Sequence, residues 1–340
     1  MSLRNDTVLG KVRVERRGRT QIAIDAPYLC DPYGRRLNNL RVSVTQRCNF
    51  HCFFCHREGE NAPDQEMTPQ EIEEIVRVAC GFDMKKVKIT GGEPLLRNDV
   101  VDIVSRTAKH ADEVSLTTNG ALLETKAEAL KQAGLKRVNV SLHALTPSTF
   151  KTITGTNNLY AVKRGIEAAL EQRLDPVKVN MVVLKGINDL QVQQMIDFTA
   201  ALGAILQLIE FQPVQEDNVN PWSRFHNDLR EIEDWLEEAA VKTQERPLHK
   251  RKKYFLPRDG GTACVEVVRP MHNSKFCRNC TRLRLTSNGK LKPCLLRNDN
   301  LVDAVSHLRG KKDVDGLKKA FRRAVALREP YWQEADEEGG

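Results

Sequence analysis

Residues 45–57 read TQRCNFHCFFCHR and set Cys48, Cys52 and Cys55 inside eight consecutive positions. Three thiols so spaced can reach one inorganic centre, yet three is an odd number. A structural zinc is closed by four ligands and disulfides take cysteines in pairs, so either a distant residue completes the set or one coordination position is open. The stretch grows out of the β-branched run LRVSVT (40–45), which places the cysteines in the loop at the C-terminal end of a predicted strand, where barrel folds assemble active sites.

Outward from there, short β-branched runs alternate with helical patterns: KVKIT (86–90), VSLTT (114–118), RVNVSL (137–142), VKVNMVVL (177–184) and ILQLIEF (205–211). Helix starts lie between them. In TPQE (68–71), Thr68 is an N-cap, Pro69 opens the helix and Glu71 closes a capping box, and Asn98 and Asn188 are expected to cap two later helices. Near-continuous apolar strands with intervening helices imply a parallel sheet, and six βα units before residue 215 fit an incomplete (βα)6 TIM-like barrel of the α/β class. Beyond it come a polar stretch, one helix, a basic loop, the hairpin signal RLRLT, SNG, KLKPCLL and a last helix over roughly 312–328. The expected division is an N-terminal extension (1–35), the partial barrel (36–215) and a C-terminal α+β domain (216–340).

A 340-residue chain with 40% hydrophobic residues can bury a large core, and it has no run of 18 apolar residues and no apolar stretch of signal-peptide type at its start. A cytoplasmic protein without a membrane segment is expected. Nine cysteines in a reducing compartment argue for metal or redox chemistry; six fall into two groups, leaving Cys30, Cys80 and Cys264. The net charge of +8 favours an anionic partner. Basic runs at ERRGR (15–19) and HKRKK (249–253) read as solvated loops. Only 6% aromatic residues, none interleaved with those runs, disfavour a zinc-stabilised nucleic-acid binder.

Thiolates are the usual ligands of iron–sulfur clusters, and a four-iron cubane held by three of them keeps one iron free for a small molecule. The alternative is a zinc knuckle completed by His51 or His56. The second strand candidate runs into KITGGEPLLR, where Gly91 and Gly92 let backbone approach a ligand closely and Glu93 offers a carboxylate to an ammonium group. Alone, GGEP also reads as a tight turn opening a helix. Together, CxxxCxxC and GGEP resemble the radical S-adenosylmethionine superfamily. That resemblance implies a [4Fe-4S] cluster on Cys48, Cys52 and Cys55 whose free iron chelates the methionine moiety, and one-electron cleavage of the sulfonium to a 5′-deoxyadenosyl radical.

A second set, Cys277, Cys280 and Cys294, lies in FCRNCTRLRLTSNGKLKPC. This spacing, TRLR after the CxxC, DPYGR (31–35) and the terminal Gly339-Gly340 resemble the GTP 3′,8-cyclase family, which opens molybdenum cofactor biosynthesis. The resemblance implies a second [4Fe-4S] cluster in the C-terminal domain, with an open iron for guanine. A closed four-thiolate site including Cys264 is the alternative. Arg282 and Arg284 stand two apart on a predicted strand and project to one face. With Leu283 between them, they match the family's GTP-binding positions, as do Arg41, Lys88, Thr117 and Lys178. Phe54, Gly92, Glu93, Ser141 and Gln212 fall where the family contacts S-adenosylmethionine. Gln207 and Gln212 replace an arginine and a methionine of bacterial members, while CHREGE and SLHAL look archaeal. The implied product is 3′,8-cyclo-7,8-dihydro-GTP, made with electrons from a one-electron reductant and passed to cyclic pyranopterin monophosphate synthase; a homodimer is allowed. The same-class rival is a radical enzyme modifying peptides, whose auxiliary domains usually carry more cysteines. QEADEEGG reads by composition as a frayed tail, but the resemblance makes Gly339 and Gly340 catalytic, threading into the active site.

Overall fold

The computed structural model describes residues 27–60, 65–212, 222–259 and 261–333. The run ERRGR and the terminal Gly339-Gly340 lie outside the described residues. Six strands, β1 (Asn39–Ser43), β2 (Lys86–Thr90), β3 (Glu113–Thr118), β4 (Arg137–Ser141), β5 (Val177–Val183) and β6 (Ile205–Glu210), pair in chain order and all in parallel. Connecting them are α1 (Pro69–Gly81), α2 (Val100–Ala108), α3 (Ala127–Gln132), α4 (Pro147–Thr154), α5 (Leu159–Glu171) and α6 (Val192–Ala201). This is the incomplete (βα)6 barrel expected.

The helices form for local reasons. At α1, Thr68 accepts the Glu71 amide while the Glu71 carboxylate takes the Thr68 amide, Pro69 stands where no amide is needed, and Ile72, Ile75, Val76 and Ala79 line one buried face. Neither of the two asparagines expected as caps makes a side-chain cap. Asp99, not Asn98, precedes α2, and it makes no side-chain cap. Asn188 is fully buried: its amide donates to the carbonyls of His143 (2.7 Å) and Val182 (2.8 Å) and accepts the Leu184 amide (2.7 Å), which ties the ends of β4 and β5 together. An asparagine before a helical pattern is as able to pin a loop as to cap a helix, and burial here selects the loop.

The C-terminal residues extend the same sheet from both edges. After α7 (Trp222–Phe225) and α8 (Arg230–Ala239), strands β7 (Lys242–Glu245), β8 (Lys252–Arg258) and β9 (Gly261–Val268) form an antiparallel meander whose last strand runs parallel to β6. After α9 (Ser274–Arg278), strand β10 (Arg282–Leu285) runs parallel to β1 and turns back into β11 (Lys290–Lys292), followed by β12 (Val302–Asp303) and α10 (Val314–Ala326). Among the described residues the result is one 12-stranded sheet. The β7–β9 meander is missing from the sequence reading: β7 is exposed throughout and β8 carries three basic residues and a proline, marks of an edge and not of a core strand.

The strands are also not apolar on both faces. Leu40, Val42, Val87, Ile89, Val138, Val140, Leu206, Leu208, Val265 and Val267 are buried on the face under the helices. Their alternates, Arg41, Lys88, Thr117, Asn139, Lys178, Gln207, Glu266, Arg282 and Arg284, are polar and share the other face. The sheet curls around that polar face: Lys88 on β2 reaches past β3 to bond Asn139 on β4 (2.7 Å), and Asn139 reaches past β5 to Gln207 on β6 (2.8 Å). The two halves of the sheet meet through the His249 amide, before β8, which donates to the Asn279 carbonyl, before β10 (3.0 Å). Among the described residues no helix is long and apolar enough to cross a membrane.

Candidate active site

Strand direction puts the two cysteine sets at opposite ends of the curled sheet. Cys48, Cys52 and Cys55 follow β1, whereas Cys277 and Cys280 precede β10, which is parallel to β1 and aligned with it from Asn39↔Arg282 to Val42↔Leu285. The length of the five-residue β1 separates the ends, on the order of 15–20 Å.

At the first end, the Phe50 amide lies 3.4 Å from the Cys48 sulfur and the Arg57 amide 3.4 Å from that of Cys55. Burial pushes the Cys52 thiol up to about 12, and the neighbouring Cys55 and Cys48 push it the same way. The three thiols therefore feel one another. Among the described residues, however, no three Cys, His, Asp or Glu side chains group tightly enough to hold a single metal ion. Three thiolates on one loop suit a cubane, which they hold while leaving one iron open. Of the two histidines considered for a zinc, His56 already accepts the Glu58 amide on Nδ1 (3.0 Å).

The GGE segment packs against this loop. The Gly92 amide donates to the Thr45 carbonyl (2.7 Å) and that of Glu93 to Arg47 (2.8 Å), and a Cβ on Gly91 or Gly92 would collide with the Thr45–Arg47 backbone. The glycines are required by the chain's own close packing, a reason the sequence reading assigned to a ligand. Glu93 is fully buried; it accepts the Thr118 hydroxyl (2.7 Å) and the amides of Leu95 (2.9 Å) and Asn119 (2.6 Å), and burial pushes its carboxyl up to about 7. Its carboxylate braces the loops after β2 and β3, and Asn119 in turn bonds Asn49 beside Cys48 (2.7 Å). Nearby, Phe54 packs edge-on against His143 at 4.9 Å and Phe211 at 6.3 Å, Ser141 ends β4, and the buried Gln212 side-chain oxygen has no donor among the described residues.

At the second end, Cys277 interacts with Cys294 and Cys280 and takes the amides of Tyr331 and Trp332. Cys264 is elsewhere, on β9, in the field of Lys253, Glu266, Lys178 and Arg246, so the four-thiolate alternative finds no support. A buried triad holds the CxxC turn. Asp31, fully buried, pairs with Arg35 (2.7 Å) and Arg328 (2.8 Å); Arg35 then donates to the Cys277 carbonyl (2.8 Å) and Arg328 to that of Cys280 (3.0 Å). Burial acts to raise the Cys280 thiol, but Arg328 and Arg282 outweigh it and hold the thiol below its ordinary value. Sequence reasoning missed Arg328; its only signal was a cation closing the last helical pattern before Pro330.

Between the ends lies an unbalanced polar lumen. Glu58 takes Arg41 (3.3 Å) and Arg284, and these two outweigh burial to hold its carboxyl at about 2. Glu266 takes Lys178 (2.6 Å) and Arg246 (2.8 Å), with Lys253 (3.8 Å) and Arg251 (3.9 Å) at the limit of pairing. Lys88 and Arg282 have no carboxylate among the described residues, and burial holds both well below their ordinary values. Arg41, Lys88, Lys178, Arg282 and Arg284 are thus brought together as anticipated, and Thr117 lies on the same face. Leu283 is not: it is fully buried opposite Leu40 on the helix-covered face, so its side chain points away from the lumen. Glu58 and Glu266 escaped the sequence reading, although a lone acid inside the apolar GTACVEVV was a signal.

Comparison with known proteins agrees with this layout. Residues 42–199 match the Radical SAM superfamily model, and residues 204–334 match Molybdenum Cofactor Synthesis C. A probable GTP 3′,8-cyclase of Thermococcus kodakarensis is 50% identical over 90% of this chain and 100% of its own length. That of Pyrococcus horikoshii is 50% identical over 89% of this chain and 98% of its own. Streptococcus suis SuiB bound to S-adenosylmethionine superposes with a TM-score of 0.61 over 84% of this chain and 68% of its own, at 18% identity, a likeness of fold alone. From its two family models in succession and its full-length similarity to these relatives, the chain belongs to the GTP 3′,8-cyclase family of the radical SAM superfamily.

Proposed function

We propose that the protein converts GTP to 3′,8-cyclo-7,8-dihydro-GTP, the opening step of molybdenum cofactor biosynthesis. The observation that carries this reading is the lumen, where among the described residues basic side chains outnumber carboxylates between two three-cysteine sets at opposite ends. Bound to these sets, two [4Fe-4S] clusters supply the electron for reductive cleavage of S-adenosylmethionine and an open iron for guanine.

The chain's own residues divide along the barrel. Residues 36–215 hold S-adenosylmethionine at the first end: the backbone at Phe54 and Gly92, the Ser141 hydroxyl and the unpartnered Gln212 oxygen face it, while Glu93 fixes the loop that carries Gly92. Residues 216–340 supply the second end, with Arg282 and Arg284 forking onto the triphosphate beside Arg41, Lys88, Thr117 and Lys178. GTP spanning the lumen then presents its ribose to the first end, a placement that converts the hydrogen abstraction into a positioned reaction. An excess of cations favours a polyanion over the peptide of the rival reading. The described chain ends against Cys277, and from there Gly339 and Gly340 would enter the lumen. A one-electron reductant serves the first cluster, and cyclic pyranopterin monophosphate synthase consumes the product.

The test is an anaerobic assay with GTP deuterated at the ribose 3′ position. Deuterium is expected in 5′-deoxyadenosine, with none transferred when the last two glycines are deleted. 5′-Deoxyadenosine formed without deuterium would sink the assignment.

A further inference from the structure

The basic run HKRKK (249–253) was expected to be a solvated loop, and the structure folds its first half into the lumen. His249 is only 4% exposed, and neither ring nitrogen has a hydrogen-bond partner among the described residues. Its ring stacks on Phe276 with centroids 3.6 Å apart, and its amide is tied to the Asn279 carbonyl. Its backbone is left-handed, φ 61°, as is that of Lys250, φ 52°. A non-glycine pair in this region is held there by its surroundings and marks a fixed, functional turn. Besides burial, the charges of Arg282, Arg251, Arg284 and Arg41 act on His249, all in the same direction. Arg251 follows. Among the described residues its Nε is buried without an acceptor and its nearest carboxylate is the 3.9 Å contact to Glu266, which is already engaged at short range by Lys178 and Arg246.

Two imidazole nitrogens and a guanidinium nitrogen, buried without partners among the described residues and in the field of the uncompensated Arg282, form an acceptor-poor cluster. A buried donor without an acceptor is unfavourable, so such a cluster persists where a ligand completes it. We propose that His249 and Arg251 form a further wall of a polyphosphate site, binding phosphate oxygens opposite Arg282. The inference deepens the GTP reading and rests on it for the identity of the nucleoside, but not for the anion. The imidazole donates one N–H, Arg251 donates Nε–H, and Phe276 holds the ring flat against the CxxC turn, which couples occupation of the site to the second end of the barrel.

The experiment uses the full chain with both clusters reconstituted, titrated calorimetrically with inorganic tripolyphosphate and with GTP. Arg251→Gln is expected to weaken tripolyphosphate and GTP alike by about 10–100-fold, the loss of a charge-assisted bond. His249→Phe keeps the stack and removes both nitrogens, and a loss of about 5–10-fold is expected, again for both probes. Arg251→Lys, which keeps the charge without the fork, should fall between wild type and Arg251→Gln and stands in if the latter loses iron. Wild type that binds tripolyphosphate but not GTP would leave the site standing and remove the nucleoside reading. Tripolyphosphate binding unchanged within twofold in the Arg251 and His249 variants, or absent from wild type, would overturn the proposal.

Discussion

The two ends of the barrel hold the same number of cysteines by different means. At the first end Cys48, Cys52 and Cys55 come from one loop, take nearby backbone amides, and have thiols that burial pushes up. At the second, the turn that carries Cys277 and Cys280 is held through a buried triad whose members lie near both termini of the chain, and cations pull the Cys280 thiol down. A local loop needs little beyond its own residues. A site assembled from distant segments depends on the charges that lock them, and these stand or fall with the tertiary fold.

The largest effect expected from breaking this contrast is at the first end. Cys52→Ala should abolish 5′-deoxyadenosine formation and lower bound iron to about half, with the second cluster's electron paramagnetic signal retained, because each set folds around its own scaffold. Next, Asp31→Ala leaves Arg35 and Arg328 buried without their shared carboxylate, a loss of about 3–5 kcal/mol. Denaturant unfolding should register that loss, and the second cluster's signal, not the first's, should disappear. The same deletion at the exposed Arg77–Glu74 pair should change stability by under about 1 kcal/mol.

Between the ends, Glu266→Gln should destabilise by about 3 kcal/mol near neutral pH, since Lys178 loses its partner inside the lumen. The pH dependence has a definite sign. Although burial opposes it, Lys178 and Arg251 hold the Glu266 carboxyl at about 2, below its ordinary 4.5. Its contribution is therefore complete above about pH 4.5 and lost as pH falls towards 2, so the variant should lose less stability than wild type across that window. Smaller again is Arg282→Ala, expected to weaken GTP binding by about 1–3 kcal/mol without destabilising the fold, because this guanidinium has no carboxylate to abandon. Arg284→Ala should weaken GTP similarly but also reduce stability, since Glu58 keeps only Arg41. Cys264→Ala should change neither iron content nor turnover; loss of the second cluster would restore the four-thiolate arrangement.

By itself the sequence determined what local chemistry can express. The parallel strands, the capping box at Thr68, the CxxxCxxC loop after β1 and the Arg282–Arg284 pair are set by residues within a few positions of one another, where periodicity and spacing translate directly into geometry. Only the tertiary structure decided which charges meet. It turned Leu283 away from the arginines, gave Asn188 to a loop, spent Gly91 and Gly92 on the chain's own backbone, drew His249 and Arg251 out of an apparently solvated run, and joined Asp31 to Arg328 across 297 positions. The physical reason is range. Hydrophobic alternation is read residue by residue, whereas a buried charge is tolerable only beside a partner, and that partner is chosen by the curl of the sheet and not by distance along the chain.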